Sequence, residues 1–185
     1  MFKKLAVVIT AVLITCNAAF ALPINGSITL GSFNGATLSS GADLSSPGAM
    51  LQLNVPFLGA GLKDFSGVTP GTLMASTLLD LGNLGAYAWN SSVGAWTTSS
   101  GIITLQNATN LNITLTGTFT PAGILSGYGA SNSLTELISF NMSGSSVSYA
   151  ASLDSSPVPE PGTIVLFGGG IFALAIFGKR RINNA

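Results

Sequence analysis

Residues 110–120 read Asn-Leu-Asn-Ile-Thr-Leu-Thr-Gly-Thr-Phe-Thr, and their spacing decides the fold. Leu111, Ile113, Leu115 and Phe119 recur with a period of two, while Asn110, Asn112, Thr114, Thr116, Thr118 and Thr120 stand on the other parity. Successive side chains of a strand point to opposite faces, so this segment has one apolar and one polar face. It is the clearest strand in the chain.

The same alternation groups Ile24, Ile28 and Leu30, and then Leu51, Leu53 and Val55. Ile138, Phe140 and Met142, followed by Val147, Tyr149, Ala151 and Leu153, predict two late strands around the turn-forming Ser-Gly-Ser-Ser of 143–146. Gly, Ser, Pro and Asn clusters separate these runs without forming linkers long enough to divide the body. From about Leu73 to Leu81 a short helix is expected, with a strand as the close alternative. The low charge does not signal disorder, because the chain is rich in Leu, Ile, Val and Phe, in which disordered segments are poor. The expected fold is all-β: a single β-sandwich or jelly-roll ectodomain over 22–154, flanked by an N-terminal signal helix and a C-terminal hydrophobic helix.

Charge is concentrated at the two ends. Lys3, Lys4, Lys179, Arg180 and Arg181 flank apolar segments, whereas the body between holds Asp43, Lys63, Asp64, Asp80, Glu136 and Asp154, with Glu160 in the stem that follows. Residues 1–21 have a basic start, an apolar run and small residues at Ala19 and Ala21, which is what signal peptidase reads; cleavage is expected after Ala21. Lipoprotein processing at Cys16 fits less well, because Thr15 stands where Gly, Ala or Ser is expected. With Cys16 removed in the leader, the mature protein has no disulfide despite entering an oxidising compartment. Lys and Arg beside an apolar span stay on the cytoplasmic side, so both ends are held inside and the body is exported through the inner membrane. No basic stretch invites nucleic acid.

The C-terminal part divides into a Pro-rich stem at 155–163, an apolar run at 164–178 and a basic tail at 179–185. Pro157, Pro159 and Pro161 alternate and hold the stem extended and accessible to an enzyme. As a helix the apolar run reaches about 22 Å, short of a hydrocarbon core of about 30 Å, even with Lys179, Arg180 and Arg181 snorkelling. It suits a transient transmembrane sorting helix better than a permanent anchor.

The order Val158-Pro159-Glu160-Pro161, glycine-containing apolar segment, Lys179-Arg180-Arg181 resembles the PEP-CTERM tail of exported Gram-negative bacterial proteins, also labelled an ice-binding-protein C-terminal domain. The resemblance implies that a membrane protease-transpeptidase, exosortase, recognises Val158, Pro159, Glu160 and Pro161 and removes the hydrophobic tail. It covers about residues 157–181 and concerns sorting only. Its members carry diverse bodies and are associated with extracellular polysaccharide and biofilm. A Leu-Pro-x-Thr-Gly sortase signal has another motif, and a glycolipid-anchor signal lacks the basic end.

The body's inventory argues against catalysis. There is no histidine, and the single cysteine is in the leader, so the usual general base, thiol nucleophile and imidazole metal ligands are missing. Two carboxylates could serve a glycosidase, yet Asp43, Asp64, Asp80, Glu136 and Asp154 show no paired spacing and read as solvated surface or turn charges. No cofactor is expected, and the acids lack the Asp-rich spacing of a calcium loop, which leaves one carbonyl-rich calcium site as the open metal reading. Tyr87, Trp89 and Trp96 are candidate ligand-binding residues, since aromatic faces stack on sugar rings and Asn90, Ser91 and Ser92 could bond hydroxyls; against this, the same rings would serve to cover a core. The threonines of 114–120 read as an ordinary half-solvated strand face unless neighbouring strands repeat them.

These features predict a non-enzymatic surface or extracellular-matrix protein, membrane-anchored before tail processing and extracellular or surface-displayed after it. Its expected partners are signal peptidase, exosortase, the inner membrane in passing and extracellular polysaccharide. The alternative is a carbohydrate-binding or adhesive module using the three aromatics.

Overall fold

The structure is a computed structural model that describes residues 23–155. The leader with Ala19 and Ala21, the motif Val158, Pro159, Glu160 and Pro161, the apolar run and the basic Lys179, Arg180 and Arg181 lie outside the described residues.

The body is all-β, as expected. Its strands are β1 (Gly26–Ser32), β2 (Ala36–Ser40), β3 (Met50–Leu53), β4 (Pro56–Lys63), β5 (Thr72–Leu73), β6 (Leu78–Asp80), β7 (Ala88–Ser91), β8 (Gly94–Gln106), β9 (Asn110–Pro121), β10 (Ser131–Ser143) and β11 (Ser146–Asp154). All strand pairings are antiparallel.

Several short strands are halves of longer bent ones. The pairs Phe57↔Leu73 and Leu51↔Leu79 keep one register, so β3 with β4 and β5 with β6 form a single interrupted ladder. The bend between β3 and β4 falls at Val55, whose φ of 50° is unusual for a β-branched residue. In the same way β1 pairs with one end of β11 and β2 touches its other end through Val147↔Ala36.

Read as bent strands, the chain winds up and down and each strand pairs with its sequence neighbours. The first meets the last through β1 and β11. On the opposite side a bridge between Met74 and Ser91 joins the end of β5 to β7, supported by the Ala75 N–H donating to the Asn90 carbonyl at 2.9 Å. The result is a near-closed antiparallel barrel, which leaves few free edges. The long crossing connections of a jelly-roll are not found among the described residues.

The alternating rows predict the core well. Leu111, Ile113, Leu115 and Phe119 are buried, as are Ile24, Ile28, Leu30, Leu51, Leu53, Ile138, Phe140, Val147, Tyr149 and Leu153; Met142 and Ala151 pack against them, half-buried. Val55 departs from its row and is exposed because the bend turns it outward. Gly117 holds an inward position on β9 where no side chain fits: a Cβ there would lie 2.8 Å from the Trp96 ring and 2.2 Å from the Thr97 carbonyl oxygen. The β10–β11 hairpin turns at Gly144, with φ of 61°, the glycine-first arrangement of a two-residue hairpin.

The helix expected from about Leu73 to Leu81 is replaced by β5 and β6. Leu79 is buried and Leu78 exposed, a strand alternation that β3 stabilises by pairing with it. Helical structure among the described residues amounts to the short 3-10 turns Asp64–Gly67, Leu84–Ala86 and Gly123–Leu125. No helix among them is long and apolar enough to cross a membrane.

Candidate functional site

The most unusual chemistry in the body is a carboxyl inside the barrel. Leu134, Glu136, Ile138 and Phe140 occupy successive inward positions of β10, and Glu136 is as buried as its apolar neighbours. The expectation that it is a solvated charge is therefore corrected. Because β10 pairs on both sides, with β9 and β11, its register cannot slip to turn Glu136 outward without exposing the whole apolar row.

The carboxyl is met by donors from the opposite wall. Trp89 Nε1 donates to Oε2 at 3.1 Å and the Tyr87 hydroxyl donates to Oε1 at 3.4 Å. Both donors belong to the seam: Trp89 lies on β7 and Tyr87 immediately before it. Burial raises the Glu136 pKa from 4.5 to about 8, and the two donors oppose the shift only in part. Burial, followed by the nearby Glu136 charge, likewise pushes the Tyr87 and Tyr149 phenols well above their ordinary value. In all three groups burial favours the uncharged form. Among the described residues, Trp96 Nε1 and Thr98 Oγ1 are buried without a hydrogen-bond partner, and the Tyr149 hydroxyl faces that of Tyr87.

Tyr87, Trp89 and Trp96 do come together, but inside the barrel. Their exposures are 1%, 3% and 0%, so the reading of them as a stacking surface for sugars is corrected in favour of core covering. Trp89 and Trp96 are cross-strand partners, and Trp89 packs against Phe119 with ring centroids 5.9 Å apart. The physical reason is that β7 and β8 form a barrel wall, and the inward row of a wall is closed to solvent. Ser91 Oγ donates to the Gly94 carbonyl at 3.1 Å, and the Asn90 backbone carbonyl accepts the seam bond from the Ala75 N–H, while the residue itself is exposed. At the seam a groove of about 280 Å³ is lined by Ser76, Thr77, Asn90 and Thr97 together with Trp89 and Trp96, both of which are almost wholly buried.

The other acids behave as turn and surface groups. Asp43 accepts from the Ser45 hydroxyl at 2.6 Å and from its backbone N–H at 2.8 Å, bonds that hold its carboxyl below the usual range. Asp80 accepts the Gly82 N–H, Asp64 the Asn25 N–H and Asp154 the Ser152 hydroxyl. Among the described residues no group of three or more acids, His or Cys could hold a metal ion. The polar face of β9 is not a repeated threonine ladder. Thr116 is flanked by Ser100 and Thr135, but Thr114 is flanked by Ile102 and Leu137.

Residues 157–181 match the family model described as the PEP-CTERM protein-sorting motif. The match covers the tail alone, and no family is recognised for the body. No curated protein and no solved structure matches the chain.

Proposed function

We propose that this chain is an exported, non-enzymatic surface or extracellular-matrix protein, associated with exopolysaccharide or biofilm and sorted by its C-terminal tail. The observation that carries this reading is the sorting motif at 157–181, placed directly behind an all-β body whose last strand ends at Asp154. Signal peptidase cuts after Ala21. Exosortase grips Val158, Pro159, Glu160 and Pro161 while Lys179, Arg180 and Arg181 keep the end of the chain on the cytoplasmic side. The released barrel works outside the cell.

The body's chemistry supports a role without catalysis. Its one deeply buried carboxyl is engaged by Trp89 and Tyr87, and burial is what chiefly sets its pKa. Among the described residues Glu136 is the one buried acid, whereas a glycosidase needs two acting on one bond.

Mass spectrometry of the mature protein from its native cell tests the proposal. The expected product begins at Leu22 and lacks Lys179–Ala185. A surface form that retains the basic end would overturn the processing step. An unchanged matrix, biofilm and cell surface after loss of the protein would overturn the proposed role.

A further inference from the structure

Among the described residues, one edge of the barrel wall is left unpaired. Strand β8 pairs with β9 along its length, but β7 reaches only as far as Thr97, and the Thr98 N–H then donates to the Tyr87 carbonyl at 3.1 Å. From Ser99 to Gln106, no backbone hydrogen bond leads to a described strand on the side away from β9. The 3-10 turn Leu84–Ala86 passes nearby, but its Leu84 side chain fills the space over Gly101 without backbone bonds to residues 99–106. Ile102, 63% exposed, stands on the outer face of this edge, and Leu105 is exposed beyond it.

Free strand edges are normally blunted by Lys, Pro or bulges. Here no charged residue occurs anywhere from Leu81 to Thr135 and no proline occurs in β8. Register shifts fall between Thr98 and Ser100 and between Ile103 and Leu105, leaving Ser100, Gly101, Ile102 and Ile103 as a regular pairing window. Its backbone donors and acceptors call for another strand. The stem of this chain is a poor candidate, because Pro157, Pro159 and Pro161 lack the N–H groups needed for a ladder.

We infer that the occupant is a second copy of this chain, joined by antiparallel pairing of the two β8 edges about a two-fold axis. Such an interface is self-complementary, since the same segment serves both partners. The lack of charge from 81 to 135 removes the like-charge contact that two identical edges would otherwise bring together. The Ile102 side chains stand at the centre of the joint, and the β8–β9 sheet runs on from one barrel into the next. This inference concerns the body and does not depend on how the tail is processed.

The test is sedimentation velocity of the mature exported protein over a wide concentration range, with hydrogen exchange at the same concentrations. A dimer is expected, with the amides of Ser100–Ile103 more protected as concentration rises. Ile102→Lys changes an exposed side chain and is expected to abolish the dimer with an unchanged circular dichroism spectrum. Leu62→Lys, at a site 66% exposed on β4, is expected to leave the dimer intact. A monomer throughout overturns the inference, as does a dimer that withstands Ile102→Lys. Edge amides protected only by a different protein, with no dependence on the concentration of this one, also overturn it.

Discussion

Trp89 and Glu136 meet across the barrel interior, the indole N–H of one donating to the carboxyl of the other at 3.1 Å. They are 47 positions apart in the chain, and the bond ties the weakly paired seam strand β7 to the fully paired β10. Four measurements test this contact, the packing of the wall and the bend at Val55.

The first concerns pH. Burial raises the Glu136 pKa from 4.5 to about 8, so between those values the folded state keeps a proton that the unfolded chain has released. The stabilisation is complete below the unfolded value and is lost as pH rises through the folded one, with a limiting slope of about 1.4 kcal/mol per pH unit. Urea titrations across this window should show stability falling with pH. Glu136→Gln keeps an acceptor for Trp89 but cannot ionise, and should flatten the profile. Asp43 acts with the opposite sign and below this window, because its pKa is lowered from 3.8. A wild-type profile that rises with pH between 4.5 and 8 would exclude this role for Glu136.

The second separates the bond from the ring. Trp89→Phe keeps an aromatic in the wall but leaves Glu136 with only the longer Tyr87 bond, at an expected loss of about 1–3 kcal/mol. In a Glu136→Leu background the same change should cost less, since the carboxyl that needs the donor is gone. Equal losses in both backgrounds would show that the N–H contributes nothing.

The third tests the packing of the wall. Gly117→Ala would put a Cβ 2.2 Å from the Thr97 carbonyl and 2.8 Å from the Trp96 ring. Neither backbone nor a buried indole can give way easily, and a loss of about 1–3 kcal/mol is expected. An unchanged urea midpoint would refute this close approach.

The fourth concerns backbone strain. Val55 holds φ of 50° while exposed, a conformation that costs an L-residue about 1–2 kcal/mol and suits Gly or Asn. Val55→Asn should raise the thermal midpoint because little burial is lost. A lowered midpoint would count against the bend.

Much of the core could be read directly from the chain, because period two is a local property. Leu111, Ile113, Leu115 and Phe119 are buried where the alternation puts them. The same logic, carried back from Ile138 through Glu136 to Leu134, would have placed the glutamate inside. Its charge type pointed the other way, since isolated carboxylates usually remain in water. Neither donor was legible, because Tyr87 and Trp89 reach Glu136 only through closure of the barrel. The segment at 73–81 was ambiguous for a related reason: without β3 beside it, nothing in its own residues favours strand over helix.

By itself the sequence determined which faces of the strands are apolar, where the late hairpin turns, and the sorting motif at 157–181. These depend on residues close together in the chain. Only the tertiary structure decided that β1 pairs with β11, that a bridge at Met74 and Ser91 closes the other side, and that Tyr87, Trp89 and Trp96 lie inside. Whether an alternating face becomes interior or surface depends on what the remaining strands enclose, and that enclosure arises from pairings between residues far apart in sequence.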